Sequence, residues 1–339
     1  MKDLNFNKVN LSNSLPPLFK WMLRISFALL ISGCDGAKEM QLTPITVIES
    51  SDPALVNIDS IAISDNKIYV SDFHDIKVFN NQGNLLQVIG SAGDNDGQFR
   101  GEVIGLAINS RNELLAVDMD AARIQVFNLD GKFIRSFGVK GDKNGQFLQP
   151  QGLTVDQYDL IYVSDKQRSD IQVFSPLGEY LYTIGQKGSG QQDLSEPESM
   201  AIRNNKIYIA DENNHRIQVY DLRGHYIETL PQNKILLTKT QEASIDDIIF
   251  TTGINKRFNR RPAGDIEGLA FDNDNTLYFI IEDLGKIARL KDGSIISSFT
   301  SSLQLISPDG IAFSSDHKIL YVVDQGNNRI LAFDVSSID

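Results

Sequence analysis

Several things are scarce in this 339-residue chain, and each shortage excludes something. Cysteine occurs once, at Cys34, so no intramolecular disulfide can staple the fold. Histidine occurs four times, at His74, His215, His225 and His317, spread widely along the chain. Long apolar runs are missing. The stretch Ile25–Ile31 near the N-terminus is too short to span a bilayer as a helix. Positive charge is in deficit, with 32 Lys and Arg against 44 Asp and Glu, a formal net charge of −12. The first 34 residues carry Lys2, Lys8, Lys20 and Arg24 against Asp3, so the remainder stands at −15. A surface that acidic repels phosphate backbones and argues against nucleic-acid binding. No phosphate-cradling glycine loop and no serine-nucleophile elbow is present.

What is there begins with a leader. Lys20 and Arg24 flank the apolar run, and Ile31-Ser32-Gly33-Cys34 closes it. Basic residues, a short apolar stretch and small residues describe an export signal. The Ile-Ser-Gly-Cys ending resembles the bacterial lipobox, which implies lipidation of Cys34. Residues 1–34 are therefore expected to be a signal peptide, 35–41 a linker, and 42–339 the folded domain.

The folded part is repetitive. A short apolar strand recurs at Ile61, Leu106, Leu153, Met200, Leu269 and Ile311, at intervals of about 42 to 47 residues with one longer gap of about 69. A second strand follows each copy, as in Ile161-Tyr162-Val163, and then usually an aspartate: Asp72, Asp118, Asp165, Asp211, Asp324. A third strand alternates, as in Ile124-Gln125-Val126-Phe127, and a fourth follows a glycine turn in five copies. Four short β-branched and aromatic strands per unit describe a propeller blade. The sixth copy ends after its third strand, and Ile45–Ser50 resembles a fourth strand. The expectation is an all-β, six-bladed β-propeller whose N-terminal strand completes its C-terminal blade, leaving no open seam.

The links between blades carry a resemblance. Gly90–Phe99 is nearly repeated by Gly138–Phe147, which runs on to Pro150-Gln151-Gly152-Leu153. Together with Asp211-Glu212-Asn213-Asn214-His215-Arg216-Ile217, these segments closely resemble the NHL repeat. The match is good over blades one to four, and blade six keeps Asp324–Ile330. Blade five departs, with Ile281 at the aspartate position. Blades five and six also resemble, more weakly, the gluconolactonase and senescence-marker propellers, through Ile266-Glu267-Gly268-Leu269 and Pro308-Asp309-Gly310-Ile311. The NHL resemblance implies a binding platform. NHL-type amidating lyases use several histidines on inner strands, and no inner strand here has one, which argues against that activity.

Candidate site residues follow from the ring. The residue before the Gly or Ser of each inner strand is Asp59, Ile104, Gln151, Glu198, Glu267 or Asp309. Equivalent strands would bring all six to the mouth of the central channel. Carboxylates that close repel unless they share a proton or a cation. Oxygen ligands of this kind suit calcium or another divalent cation, with Glu267, Asp309 and Glu198 as ligands and Asp59 and Gln151 assisting. The recurrent Asp and Arg of the blades are expected to be structural, satisfying turn amides. A long insertion, 231–265, carries Lys256, Arg257, Arg260 and Arg261 and is expected to overhang the same face as a binding loop.

The leading expectation is thus a monomeric propeller, lipid-anchored in the cell envelope on the periplasmic side of the inner membrane or at the outer membrane. It would bind an envelope protein, peptide or glycan, and is read as non-enzymatic. The alternative is a metal-dependent hydrolase of lactones or esters, in which the cation polarises a carbonyl.

Overall fold

A computed structural model describes residues 38–49, 54–231 and 265–338. The chain divides into two units, Met1–Gly36 and Ala37–Asp339, and the described residues all belong to the second. Cys34, most of the 231–265 insertion and its basic residues Lys256, Arg257, Arg260 and Arg261 lie outside them.

Among the described residues, six sheets of antiparallel blade strands follow one another along the chain. Blade one is Ile58–Ser64, Lys67–Asp72, Asp75–Asn80 and Leu85–Ile89, from inside outward. Blades two, three, four and five open on the inner strands Val103–Ile108, Pro150–Val155, Pro197–Arg203 and Ile266–Phe271. Blade six is Pro308–Phe313, Ile319–Asp324 and Arg329–Asp334, and its fourth strand is Thr46–Ile48, paired antiparallel with Ala332, Leu331 and Ile330. The protein is a six-bladed β-propeller closed by its own N-terminal strand.

Burial explains the strand pattern. Among the described residues, six hydrophobic clusters each join two neighbouring blades. Phe174, 1% exposed, meets Phe137, Phe147 and Tyr180 at ring-centroid distances of 5.0, 5.5 and 6.1 Å. Burying such a ring contributes about 1.5–3 kcal/mol. The third strands are covered on both faces, so their alternating polar residues are buried too. Gln125 holds the preceding link by accepting from Gly97 N at 2.9 Å and donating to Gln98 O.

The recurrent aspartates do what the sequence suggests. Asp118, fully buried, accepts from Arg100 N and from Arg123 Nε at 2.8 Å. Asp211 and Asp324 repeat this with Ser195 N and Arg216, and with Ile306 N and Arg329. Blade five lacks the aspartate, and its Lys286, in the arginine's place, pairs instead with Glu39 at 2.7 Å.

That partner corrects one boundary. The stretch read as a linker, 35–41, enters a strand at Lys38. Lys38–Leu42 pairs in parallel with Ser297–Ser301 on the outer edge of blade five, making that sheet five-stranded. Its alternation is weak because only Met40 and Leu42 pack on the core. The rest of its binding comes from backbone pairing and the Glu39–Lys286 contact, which hydrophobic patterning does not show.

Candidate functional site

The inner strands build the site through one irregularity repeated six times. Each has a register shift just after its first residue, between Ile58 and Ile61, Val103 and Leu106, Pro150 and Leu153, Pro197 and Met200, Ile266 and Leu269, and Pro308 and Ile311. Bulges of this kind re-aim side chains. The two residues inside each bulge are a mouth residue (Asp59, Ile104, Gln151, Glu198, Glu267 or Asp309) and a small one. The small residue is obligatory, because the strands crowd at the axis. A Cβ on Gly152 would lie 2.2 Å from Glu198 O, and one on Gly268 2.3 Å from Asp309 O. Ser60 and Ser199 fit where Gly stands elsewhere, and each hydroxyl accepts from the next inner strand, from Leu106 N and Leu269 N at 3.1 Å.

Between these strands lies a polar cavity of about 180 Å³. Asp59, Ile104, Gln151, Glu198 and Asp309 line it. Glu267 is withdrawn from water, 6% exposed. Of the five residues expected to meet, Asp59, Gln151, Glu198 and Asp309 line the cavity and Glu267 does not, and the four carboxylates fall into two groups.

On the side of blades six and one, Asp59 and Asp309 are neighbours across adjacent inner strands, where a Cβ on Gly310 would lie 2.5 Å from Asp59 O. Burial, and then the charge of Asp309, pushes Asp59 well above the carboxylate range. Burial, with repulsion from Glu198 and Glu282, pushes Asp309 up to about 8. Burial and like charge together favour the protonated form of closely placed carboxyls.

On the side of blades four and five, Glu198, Glu212 and Glu267 offer one oxygen each, all within 4.8 Å of one another. Burial, reinforced by Glu198, drives Glu267 well above the usual range, and burial with Glu198 raises Glu212 to about 7. Burial opposes ionisation of Glu198 as well, but bonding from Glu267 and the charge of Lys166 outweigh it and hold its carboxyl low. Lys166 Nζ bonds to Glu198 Oε1 and stands 2.6 Å from Glu212 Oε2. Gln151 lines the cavity but belongs to neither group.

Glu212 and Lys166 are absent from the sequence-derived set. Both directly follow the blade aspartates Asp211 and Asp165, at the start of the loop between second and third strands. That loop shares a face with the entrance to the inner strands. Reading this position around the ring gives Phe73, Met119, Lys166, Glu212, Glu282 and Gln325, a second circle with its charges in blades three to five. His215, in the same loop of blade four, sits 3.0 Å from Asp265, at the end of the insertion.

A family model described as a 6-bladed beta-propeller matches residues 155–238. No curated protein matches the chain. Among solved structures, a catalytically inactive virginiamycin B lyase from Staphylococcus aureus, determined with quinupristin, is similar at 15% identity and a TM-score of 0.56, covering 86% of this chain and 89% of that one. A streptogramin B lyase matches at the same identity and TM-score, covering 86% of each chain. A protein of unknown function from Bacteroides caccae matches at 14% identity and a TM-score of 0.54, covering 75% and 85%. At such identities the likeness is one of fold.

Proposed function

We propose that this protein is an NHL-type propeller that binds a protein or peptide on its top face, with a basic side chain of the ligand entering the acidic mouth. The observation that carries this reading is the convergence of Asp59, Glu198 and Asp309 on one polar cavity of about 180 Å³. That volume suits a single ammonium or guanidinium tip. A cleft lined by carboxyl groups between low-dielectric walls favours an approaching cation. An arriving ammonium would compete with protonation of Asp59 and Asp309, both of which burial pushes upward. The NHL reading is supported by the Asp–Arg clasp that ties blades two, four and six to their preceding links.

The test is fluorescence anisotropy of labelled peptides, in chelated buffer, at low and high salt. A lysine- or arginine-bearing peptide should bind, and its glutamine counterpart should not. Asp59→Asn with Asp309→Asn should weaken binding about tenfold, or about 1.4 kcal/mol. Raised salt should weaken it too. Equal binding of basic and neutral peptides would refute the reading.

The same proposal places the propeller on a membrane of the cell envelope through acylated Cys34, on the strength of the Ile31–Cys34 motif. Cys34→Ser should abolish incorporation of labelled palmitate and move the protein to the soluble fraction. Unchanged membrane retention would remove the anchor from the reading. Metal-assisted hydrolysis of a lactone or ester stands second, favoured by the meeting of Glu198 with Glu267, and it requires a bound cation.

A further inference from the structure

We propose that Glu198, Glu212 and Glu267 form a divalent-cation site of the calcium or magnesium kind, and that Lys166 is an internal counter-ion which the metal displaces. The site goes beyond the peptide-binding reading, since it needs no ligand in the mouth. It also differs from the ring of carboxylates expected from sequence, because it takes in Glu212 and leaves out Asp59, Gln151 and Asp309.

Geometry is the first support. Hard cations hold oxygens at roughly 2.3–2.6 Å, so donors on opposite sides of one ion stand about 5 Å apart. Three carboxylate oxygens mutually within 4.8 Å can share one coordination sphere. Rigid parts supply them. Glu198 and Glu267 occupy equivalent places in the bulges of adjacent inner strands, and Glu212 opens the 3-10 turn Glu212–Asn214 directly after the second strand of blade four. Oxygen-only donors select a hard cation over zinc or copper. His215, whose Nδ1 lies 3.0 Å from Asp265 Oδ1, is not one of the three converging donors.

The second support is an orphaned acceptor. Glu267 is 6% exposed, and its Oε2 has no hydrogen-bond partner. A buried oxygen without a partner is costly. Lys166 contacts Glu198 and Glu212, so the resident ammonium serves two of the three carboxylates. A metal ion among all three satisfies the Glu267 oxygen as well. It releases Lys166, whose side chain is 21% exposed and can turn towards the cavity.

The experiment is calorimetric titration of the chelator-treated full chain with calcium, magnesium and manganese chlorides, with melting temperature as the parallel readout. Wild type should show saturable one-site binding and a melting temperature raised by several degrees. Glu212→Gln and Glu267→Gln should each lose at least about tenfold in affinity. Glu267→Gln should stay folded without metal, because it replaces a buried carboxyl with a neutral amide of the same shape. Lys166→Met should bind more tightly than wild type, because the competing ammonium is gone. Asp309→Asn should change affinity by less than about threefold. Absence of saturable binding by wild type, whatever Lys166→Met does, would overturn the site. So would a loss in Asp309→Asn as large as that in Glu212→Gln, which would return the ion to the ring as a whole.

Discussion

At the scale of single residues, this molecule treats charge in two ways. Where charge is structural, each carboxylate meets its donors. Glu113, at the start of a blade-two strand, accepts from Arg135 Nη1 at 2.8 Å and Nη2 at 3.0 Å, and Arg135 reaches on to Pro176 O in blade three at 2.7 Å. These bonds from Arg135, against some opposing burial and with help from Asn109, hold Glu113 down to about 2. A carboxyl lowered on folding contributes stability that is complete above its unfolded value near 4.5 and is lost as pH falls towards 2. Glu113→Gln should therefore destabilise by about 1–3 kcal/mol at neutral pH, with the gap to wild type closing between about pH 4.5 and 2. Urea unfolding across that range measures it, and a pH-independent gap would show that the loss is one of shape. Around the mouth the opposite holds: Asp59, Asp309 and Glu267 are all pushed upward by burial and by neighbouring carboxylates.

At the scale of elements, the two N-terminal strands do different work. Thr46–Ile48 places Ile48, 1% exposed, in the cluster joining blades six and one. Lys38–Leu42 adds only Met40 and Leu42 at the margin of another cluster, yet it covers the free edge Ser297–Ser301. Two truncations separate these roles. Starting the protein after Leu42 should leave unfolding nearly unchanged but promote self-association in light scattering, because an uncovered edge pairs with other chains. Starting it after Glu49 should cost more than about 3 kcal/mol in denaturant unfolding, since the ring then lacks its closing strand. If both truncations unfold alike, closure by Thr46–Ile48 is not what holds the ring. The six-fold bulge is the other element-scale device. It places every mouth residue one step inside the strand end, so these candidate residues are held by sheet positions.

At the scale of the whole molecule, six clusters between six blades make a closed cycle in which each blade depends on two neighbours. The ring was legible in the sequence because its period is written in short-range signals. Strand residues alternate, glycines such as Gly131 and Gly224 take positive φ in the outer turns, and aspartates recur at one place. The edge strand was not, because Lys38–Leu42 is held by backbone pairing and one ion pair, to which side-chain pattern is blind. The site was half legible. Equivalent strands brought Asp59, Gln151, Glu198 and Asp309 to one cavity as their register required.

The sequence by itself determined the repeat, the number of blades, the closure and which side chains could reach the axis, because a β-strand's partners follow from period and register. Only the tertiary structure decided how the carboxyls divide. Asp59 and Asp309 meet across the seam where chain start and chain end are joined, 250 residues apart in order but neighbours in the ring. Glu212 and Lys166 join Glu198 and Glu267 because a loop between strands in one blade leans over the strand ends of the next. Such pairings depend on distances of a few ångströms between separate blades, and no spacing along the chain encodes them.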